Sequence, residues 1–289
     1  METYERNVIL ETGKYDSIGK RPIRHDGVDK VTGRAEYGAD YHLVGTLHAK
    51  ILRSPHAHAR IISIDTSKAE QHPSIQAVVT EADFPESKPD ATVDLLGETL
   101  LKYERGNILA SDKVVYKGHA VAAVAATSPH EAEEALKLID VQYEPLPPVV
   151  TALDGMKQNA PIIHDDLKTN EFGEKISGKT NIAQHVKENV GDVDKGFSEA
   201  DVVIEREFYT STVHQGYIEP HNVTAFWKKD GRVHIWCSTQ GAFFVRESVA
   251  KILDLPISQV KVTPMEIGGG FGGKIPVYAE PIAAMLSKK

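Results

Sequence analysis

Ile267-Gly268-Gly269-Gly270-Phe271-Gly272-Gly273-Lys274 places five glycines in six consecutive positions. Glycine costs backbone entropy and has no side chain to bury, so packing alone does not ask for such a run. It suits a backbone that turns sharply and lies close to something else. The preceding Gln259 to Glu266 alternates in part and predicts a strand. The following Pro276 to Leu286 predicts an apolar helix, with Pro276 fitting its first turn. Strand, glycine loop and helix N-terminus together form an anion-binding arrangement, because free N–H groups and the positive end of the helix dipole converge there. The loop is therefore expected to hold a phosphate-bearing or otherwise anionic cofactor.

Two nucleotide motifs overlap the loop. G-x-x-x-x-G-K-S/T matches at Gly268, Gly273 and Lys274, then fails at Ile275, where a magnesium-binding hydroxyl is required. G-x-G-x-x-G matches at Gly268, Gly270 and Gly273, but its confirming acidic residue belongs ~20 residues further on, past Lys289. A plain tight turn is the third reading, although one or two glycines suffice for that.

A second motif lies upstream. Cys237-Ser238-Thr239-Gln240 ends a predicted strand, and Gln240 precedes Gly268 by 28 positions. In this order the two motifs resemble the molybdopterin-contacting elements of the molybdenum hydroxylases, the xanthine dehydrogenase and aldehyde oxidase family. Lys30 to Gly33, Ser54 to Ala57, Gly118 to Ala126 and Val141 to Pro147 are similar to its α/β hammerhead domain. The resemblance covers most of the chain from Ile18 onward. It implies an α+β (mixed α/β) fold: an N-terminal extension over 1–17, a hammerhead domain over 18–148, and the N-terminal part of a molybdenum cofactor-binding domain over 149–289.

Composition is ordinary for a globular chain of 289 residues, with 41% hydrophobic and 26% charged residues. That length can hold two cores. A net charge of −8 and the absence of a lysine-arginine run argue against nucleic acid as partner. Met1 to Gly13 is too charged for a signal peptide, no apolar run approaches ~18 residues, and the cytoplasm is the default location. One cysteine, Cys237, excludes an internal disulfide and a cysteine-ligated iron–sulfur cluster.

In the first half, Lys30 to Gly33 reads as a tight turn. Leu47 to Arg53, Arg60 to Asp65, Ala77 to Thr80, Val114 to Tyr116, the run to Ala126, and Asp140 to Glu144 read as strands. Glu81 to Thr99 reads as a surface loop. Ser128, Pro129 and Glu131 announce a capped helix with Ala132, Ala135, Leu136 and Ile139 on its apolar stripe. Pro145 to Pro148 marks the domain boundary. His56 and His58 lack a third ligand of suitable spacing, and backbone-bonded or solvated histidines explain them better than a metal does.

In the second half, Thr151 to Gly191 is a connection with little periodicity, and Asp201 to Phe208 reads as a strand. Glu219 reads as a buried structural carboxylate rather than a base, and His214 and His221 are unassigned. Val223 to Trp227 and Val233 to Cys237 form a hairpin about Asp230-Gly231. Ala242 to Leu253 is a helix, so Gln240 sits where strand hands over to helix. A buried amide there can donate to an oxo ligand without a charge change. Capping the helix or bonding the loop backbone is its alternative role.

By resemblance, the cofactor is molybdenum-molybdopterin, with the cytosine dinucleotide form among its variants. Iron–sulfur clusters and FAD belong to partner subunits. The metal takes no protein ligand. Gln240 would act catalytically beside the metal's oxo ligand, and Gly241, Gly269, Gly270, Phe271, Gly272 and Gly273 would contact the cofactor. Ile275 stands on the substrate side, where purine-oxidising members carry a glutamate, so an aldehyde, aromatic heterocycle or related small molecule is expected. The family's general base lies several hundred residues beyond Lys289. Either a second molybdenum-domain subunit supplies that half or the sequence is a shortened piece, and the chain alone is expected to be inactive. The apolar face of the last helix, with Ile282, Ala283, Met285 and Leu286, should then need a partner surface. A nucleotide-binding protein and a non-catalytic assembly subunit are the alternatives.

Overall fold

A computed structural model describes residues 15–86, 91–94, 98–171, 173–175 and 178–289. The chain forms two compact units, 1–36 and 37–289. In the first, Gly27–Thr32 is a short helix, α1, closed by Gly33 in the left-handed region at φ 73°. The predicted turn is thus the end of a helix: Arg34 and Ala35 donate backward to the Asp29 carbonyl, the hydrogen-bond pattern a left-handed glycine permits.

The second unit begins with two antiparallel sheets. In the first, β1 (His48–Arg53) and β3 (Ile75–Thr80) flank a central strand, β7 (Ala120–Ala126). All seven residues of β7 are buried. Ala122, Val124 and Ala126 face α3 (Pro129–Leu136) through Ala132 and Ala135. Ala123 and Ala125 face the other core. A strand covered on both faces reads as a continuous apolar run. Ser128 caps α3 by accepting the Glu131 N–H, worth about 1 kcal/mol. The second sheet pairs β2 (Ala59–Asp65) with β6 (Lys113–Val114) and β8 (Asp140–Pro145). His58 there bonds the Pro147 carbonyl at 2.8 Å, the backbone role expected of it.

Two readings of strand and loop need correction. Glu81 to Thr99 is not simply a loop: β4 (Thr92–Asp94) pairs with β5 (Glu98–Leu100), Val93 is buried, and a helix, α2 (Leu101–Ile108), follows; residues 87–90 and 95–97 lie outside the described residues. Asp201 to Phe208 is not a strand. Its alternation is present, but no described strand pairs with it, and Val202, Val203, Ile204 and Phe208 are exposed. A pattern makes a strand only where an edge is there to bond.

The site rests on a third sheet. β9 (Val223–Trp227) and β10 (Val233–Cys237) form the predicted hairpin, with Gly231 at φ 86° in its turn. α4 (Ala242–Ile252) then crosses over to β11 (Val260–Pro264), which runs parallel to β10. Val233, Ile235 and Cys237 enter the core, while Trp236 on the other face stacks between Tyr41 and His234 at 4.6 and 3.6 Å. The last helix, α5 (Glu280–Lys288), buries Ile282, Ala284, Met285 and Leu286 in the same core as β7, β10 and α4. Of the four residues expected to need an outside surface, Ile282, Met285 and Leu286 are therefore covered within this chain, and Ala283 is half-buried. The helix also starts four residues later than Pro276, with Pro281 in its first turn.

Candidate cofactor site

β10 ends against the glycine loop. The Gln240 N–H and the Thr239 hydroxyl both donate to the Lys274 carbonyl, at 2.9 and 3.2 Å. The Gln240 Oε1 accepts from Gly272 N at 2.9 Å and from Lys274 N at 3.4 Å. Those two donors decide which end of the amide is oxygen, and Nε2 is then the donor end. Gln240 is exposed rather than buried. Its carbonyl performs the loop-bonding role that was the alternative for this side chain.

The glycines have a physical reason that differs from the one expected. A Cβ on Gly268 would lie 2.5 Å from Glu219 Cβ, one on Gly270 2.5 Å from Gln240 Oε1, and ones on Gly269 and Gly273 2.9 Å from Tyr217 and Gln215. Four of the five therefore make room for the protein's own side chains. Gly272 differs: it has φ 89°, and a Cβ there would meet nothing within 4 Å. Beside it, Phe271 adopts φ 51° and is 72% exposed. A left-handed phenylalanine costs roughly 1–2 kcal/mol, and strain of this kind gathers where a ligand is held.

Glu219 closes the loop at its base. One oxygen accepts from Gly268 N and from Lys274 Nζ, both at 2.7 Å, and the other from Gly38 N at 3.3 Å. The Lys274 side chain is 0% exposed and that of Glu219 12%. The ammonium also lies 5.0 Å from the Tyr217 ring centroid. Glu219 is the structural carboxylate expected of it, and Lys274 is committed to it rather than free for a phosphate. With Ile275 lacking a hydroxyl, the nucleotide reading loses both of its ligands. Nor does α5 point its N-terminus at the loop, since Ile275 to Ala279 intervene. The helix that starts beside the loop is α4, whose N-cap, Gly241, follows Gln240 and offers no side-chain cap. Its first-turn N–H groups add to the local donor field.

Sequence reasoning missed two residues here. Tyr217 lies under Lys274, and the buried Glu280 accepts the Tyr278 N–H. His221 sits edge-on to Tyr217 and Tyr278, at 5.6 and 5.3 Å, with burial pushing its pKa down. No local signal marks the Tyr217–Lys274 and His221–Tyr278 contacts, because they join segments tens of residues apart.

The two carboxyls should impose opposite pH dependences. Burial pushes Glu219 up, but Lys274 and the Gly268 and Gly38 N–H groups outweigh it and hold the group below its ordinary value. Its contribution is complete above the unfolded value, ~4.3, and is lost as pH falls through the folded one. Burial drives Glu280 the other way, above the ordinary range, against nearby N–H groups. Its contribution is complete below ~4.3 and is lost as pH rises through the folded value. In denaturant midpoints followed against pH, Glu219→Gln should flatten the acid limb and Glu280→Gln the limb above it. Curves superimposable on the parent would remove both assignments.

The surface suits an oxygen-rich group approached by backbone. It has an exposed amide donor, an open left-handed turn at Phe271-Gly272, and an uncapped helix start. Family comparison agrees. The aldehyde oxidase and xanthine dehydrogenase a/b hammerhead domain matches residues 32–147, and the molybdopterin cofactor-binding domain matches residues 175–289. The chain belongs to the molybdenum hydroxylase family. Its hammerhead sheets and the β9-β10-β11 layer have the fold of that family. The nicotinate dehydrogenase large molybdopterin subunit of Eubacterium barkeri is 33% identical over 94% of this chain and 59% of its own length. The carbon monoxide dehydrogenase large chain of Afipia carboxidovorans is 32% identical over 99% of this chain and 35% of its own. Among solved structures, quinoline 2-oxidoreductase from Pseudomonas putida 86 superposes with a TM-score of 0.78 at 29% identity, over 95% of this chain and 34% of that one. The chain thus spans between a third and three fifths of the length of these molybdenum hydroxylase relatives. No helix among the described residues is long and apolar enough to cross a membrane.

Proposed function

We propose that this chain supplies one wall of a molybdenum hydroxylase centre, with Gln240 and the Gly268–Gly273 backbone facing the cofactor. One observation carries the reading. The Gln240 carbonyl is tied to Gly272 N at 2.9 Å, which leaves Nε2 as the donor end of the amide, and Gln240, Phe271 and Gly272 are all exposed. When bound, the molybdenum–pterin group supplies the two-electron acceptor for oxidative hydroxylation. This chain's residues orient it: Gln240 Nε2 donates a hydrogen bond, Gly241 and Gly269–Gly273 let the backbone approach, and the Glu219–Lys274 pair keeps the loop in place. Ile275 presents an apolar side chain where a purine edge would need a hydrogen bond, which favours an aldehyde or aromatic heterocycle. The general base and the remaining cofactor contacts would come from a further stretch or a second subunit, and electrons would leave to iron–sulfur and flavin subunits. The cytosine dinucleotide form is compatible with a loop that approaches through its backbone.

The test is Gln240→Ala in the natively purified complex, with molybdenum content measured beside turnover. Losing one preorganised donor should lower kcat about 10²-fold while molybdenum is retained. Unchanged turnover would make the chain a scaffold, and adenine nucleotide bound in place of molybdenum would reject the proposal outright.

A further inference from the structure

We propose that Tyr217 is a positioning residue for the glycine loop, whose ring and stem set how far the loop stands out from the protein. It meets the loop at three places. A Cβ on Gly269 would lie 2.9 Å from Tyr217 Cβ, and one on Gly273 3.0 Å from its Cε1. The Lys274 ammonium lies 5.0 Å from the ring centroid. Contacts this close leave the backbone no room to settle inward. The support reaches the exposed turn as well, because the same Cβ on Gly269 would lie 3.1 Å from Cε2 of Phe271. Two bonds of the loop depend on where it stands: Gly272 N–H donates to Gln240 Oε1 at 2.9 Å, and Gly273 N–H to the Gly270 carbonyl at 2.8 Å.

Tyr217 is braced in turn by the two histidines that local sequence leaves unassigned. His214 and His221 stand edge-on to its ring at 5.1 and 5.6 Å, and Tyr278 stands edge-on to His221 at 5.3 Å. His214 is itself fixed by accepting the Gly216 N–H at 3.0 Å. Edge-to-face contacts are directional, so they fix the plane of the ring as well as its place. None of these contacts uses the Tyr217 hydroxyl, and the ring is the working part. The consequence for the cofactor rests on the function proposed above, but the support itself can be read in the protein without cofactor.

The reporters are the Gly272 and Gly273 amides, followed by hydrogen exchange in the full chain labelled with nitrogen-15 glycine. Gly118, whose N–H donates to the Ser54 carbonyl at 2.9 Å in the hammerhead domain, reads general loosening. Tyr217→Leu keeps apolar bulk without the ring. It should raise both loop rates about tenfold and leave Gly118 within about twofold. Tyr217→Phe keeps the ring and should stay within about twofold of the parent at all three amides. His221→Leu removes one brace, should speed the two loop amides about threefold, and decides the matter if Tyr217→Leu does not fold. The proposal is overturned by loop amides at the parent rate in the deciding variant, by equal acceleration at Gly118, or by a Tyr217→Phe chain as fast as Tyr217→Leu. In the natively purified complex, Tyr217→Leu should lower kcat about tenfold with KM within about twofold, the split expected when a group that acts in the transition state is displaced. Parental kcat beside accelerated exchange would count against the proposed function and leave the support standing.

Discussion

Lys274→Met should lower the unfolding free energy by about 3 kcal/mol, the low end of the 3–5 kcal/mol typical when one partner of a buried ion pair is removed. The low end is appropriate because Glu219 keeps two backbone donors, from Gly268 and Gly38, after the ammonium is gone. Glu219→Gln should cost a comparable amount by leaving a fully covered ammonium without a counter-charge. The double variant should cost less than the two single losses together, since the residues are in direct contact. Urea denaturation of the full chain measures all three. A loss under about 1 kcal/mol for Lys274→Met would place the pair among solvent-screened surface bridges and would remove it as the closure of the loop.

Gly268→Ala and Gly272→Ala should separate two kinds of glycine. At Gly268 the new methyl would sit 2.5 Å from Glu219 Cβ, an atom next to backbone that cannot swing aside. Either the loop or Glu219 must move, and the salt bridge goes with it, so a loss of about 3 kcal/mol is expected. At Gly272 there is room, and only the left-handed conformation is disfavoured, by roughly 1–2 kcal/mol. Cofactor content should rank differently. If the backbone at Gly272 lies against the molybdopterin, its added methyl occupies that space, and molybdenum in the purified complex should fall at least tenfold, about 1.4 kcal/mol of binding. A Gly272→Ala complex that carries full molybdenum would move the cofactor off this turn.

Much of this was legible in the residues. The hairpin about Asp230-Gly231, the crossover helix, the capped helix at Ser128 and the buried run of β7 all follow from local patterns, and each stands where its pattern lies. The two motifs were legible because their order and spacing are written along the chain. Asp201 to Phe208 shows where local reading fails: alternation records which side of a strand would be buried, not whether an edge waits for it. The start of α5 failed for a related reason. Pro276 suits a first turn, but the Tyr278 N–H is taken by the Glu280 carboxyl, and the helix begins only after that link.

The sequence by itself determined the fold class, through periodicity and turn chemistry, and the family, through the order and spacing of its two motifs, all of them written along the chain. Only the tertiary structure decided why the loop is glycine-rich and which ends of its side chains stay free. Glu219, Tyr217, Gln215 and Gln240 come from as many as 58 residues away to occupy the places that side chains on Gly268, Gly269, Gly270 and Gly273 would fill. Steric exclusion between distant segments leaves no trace in the local pattern of either one.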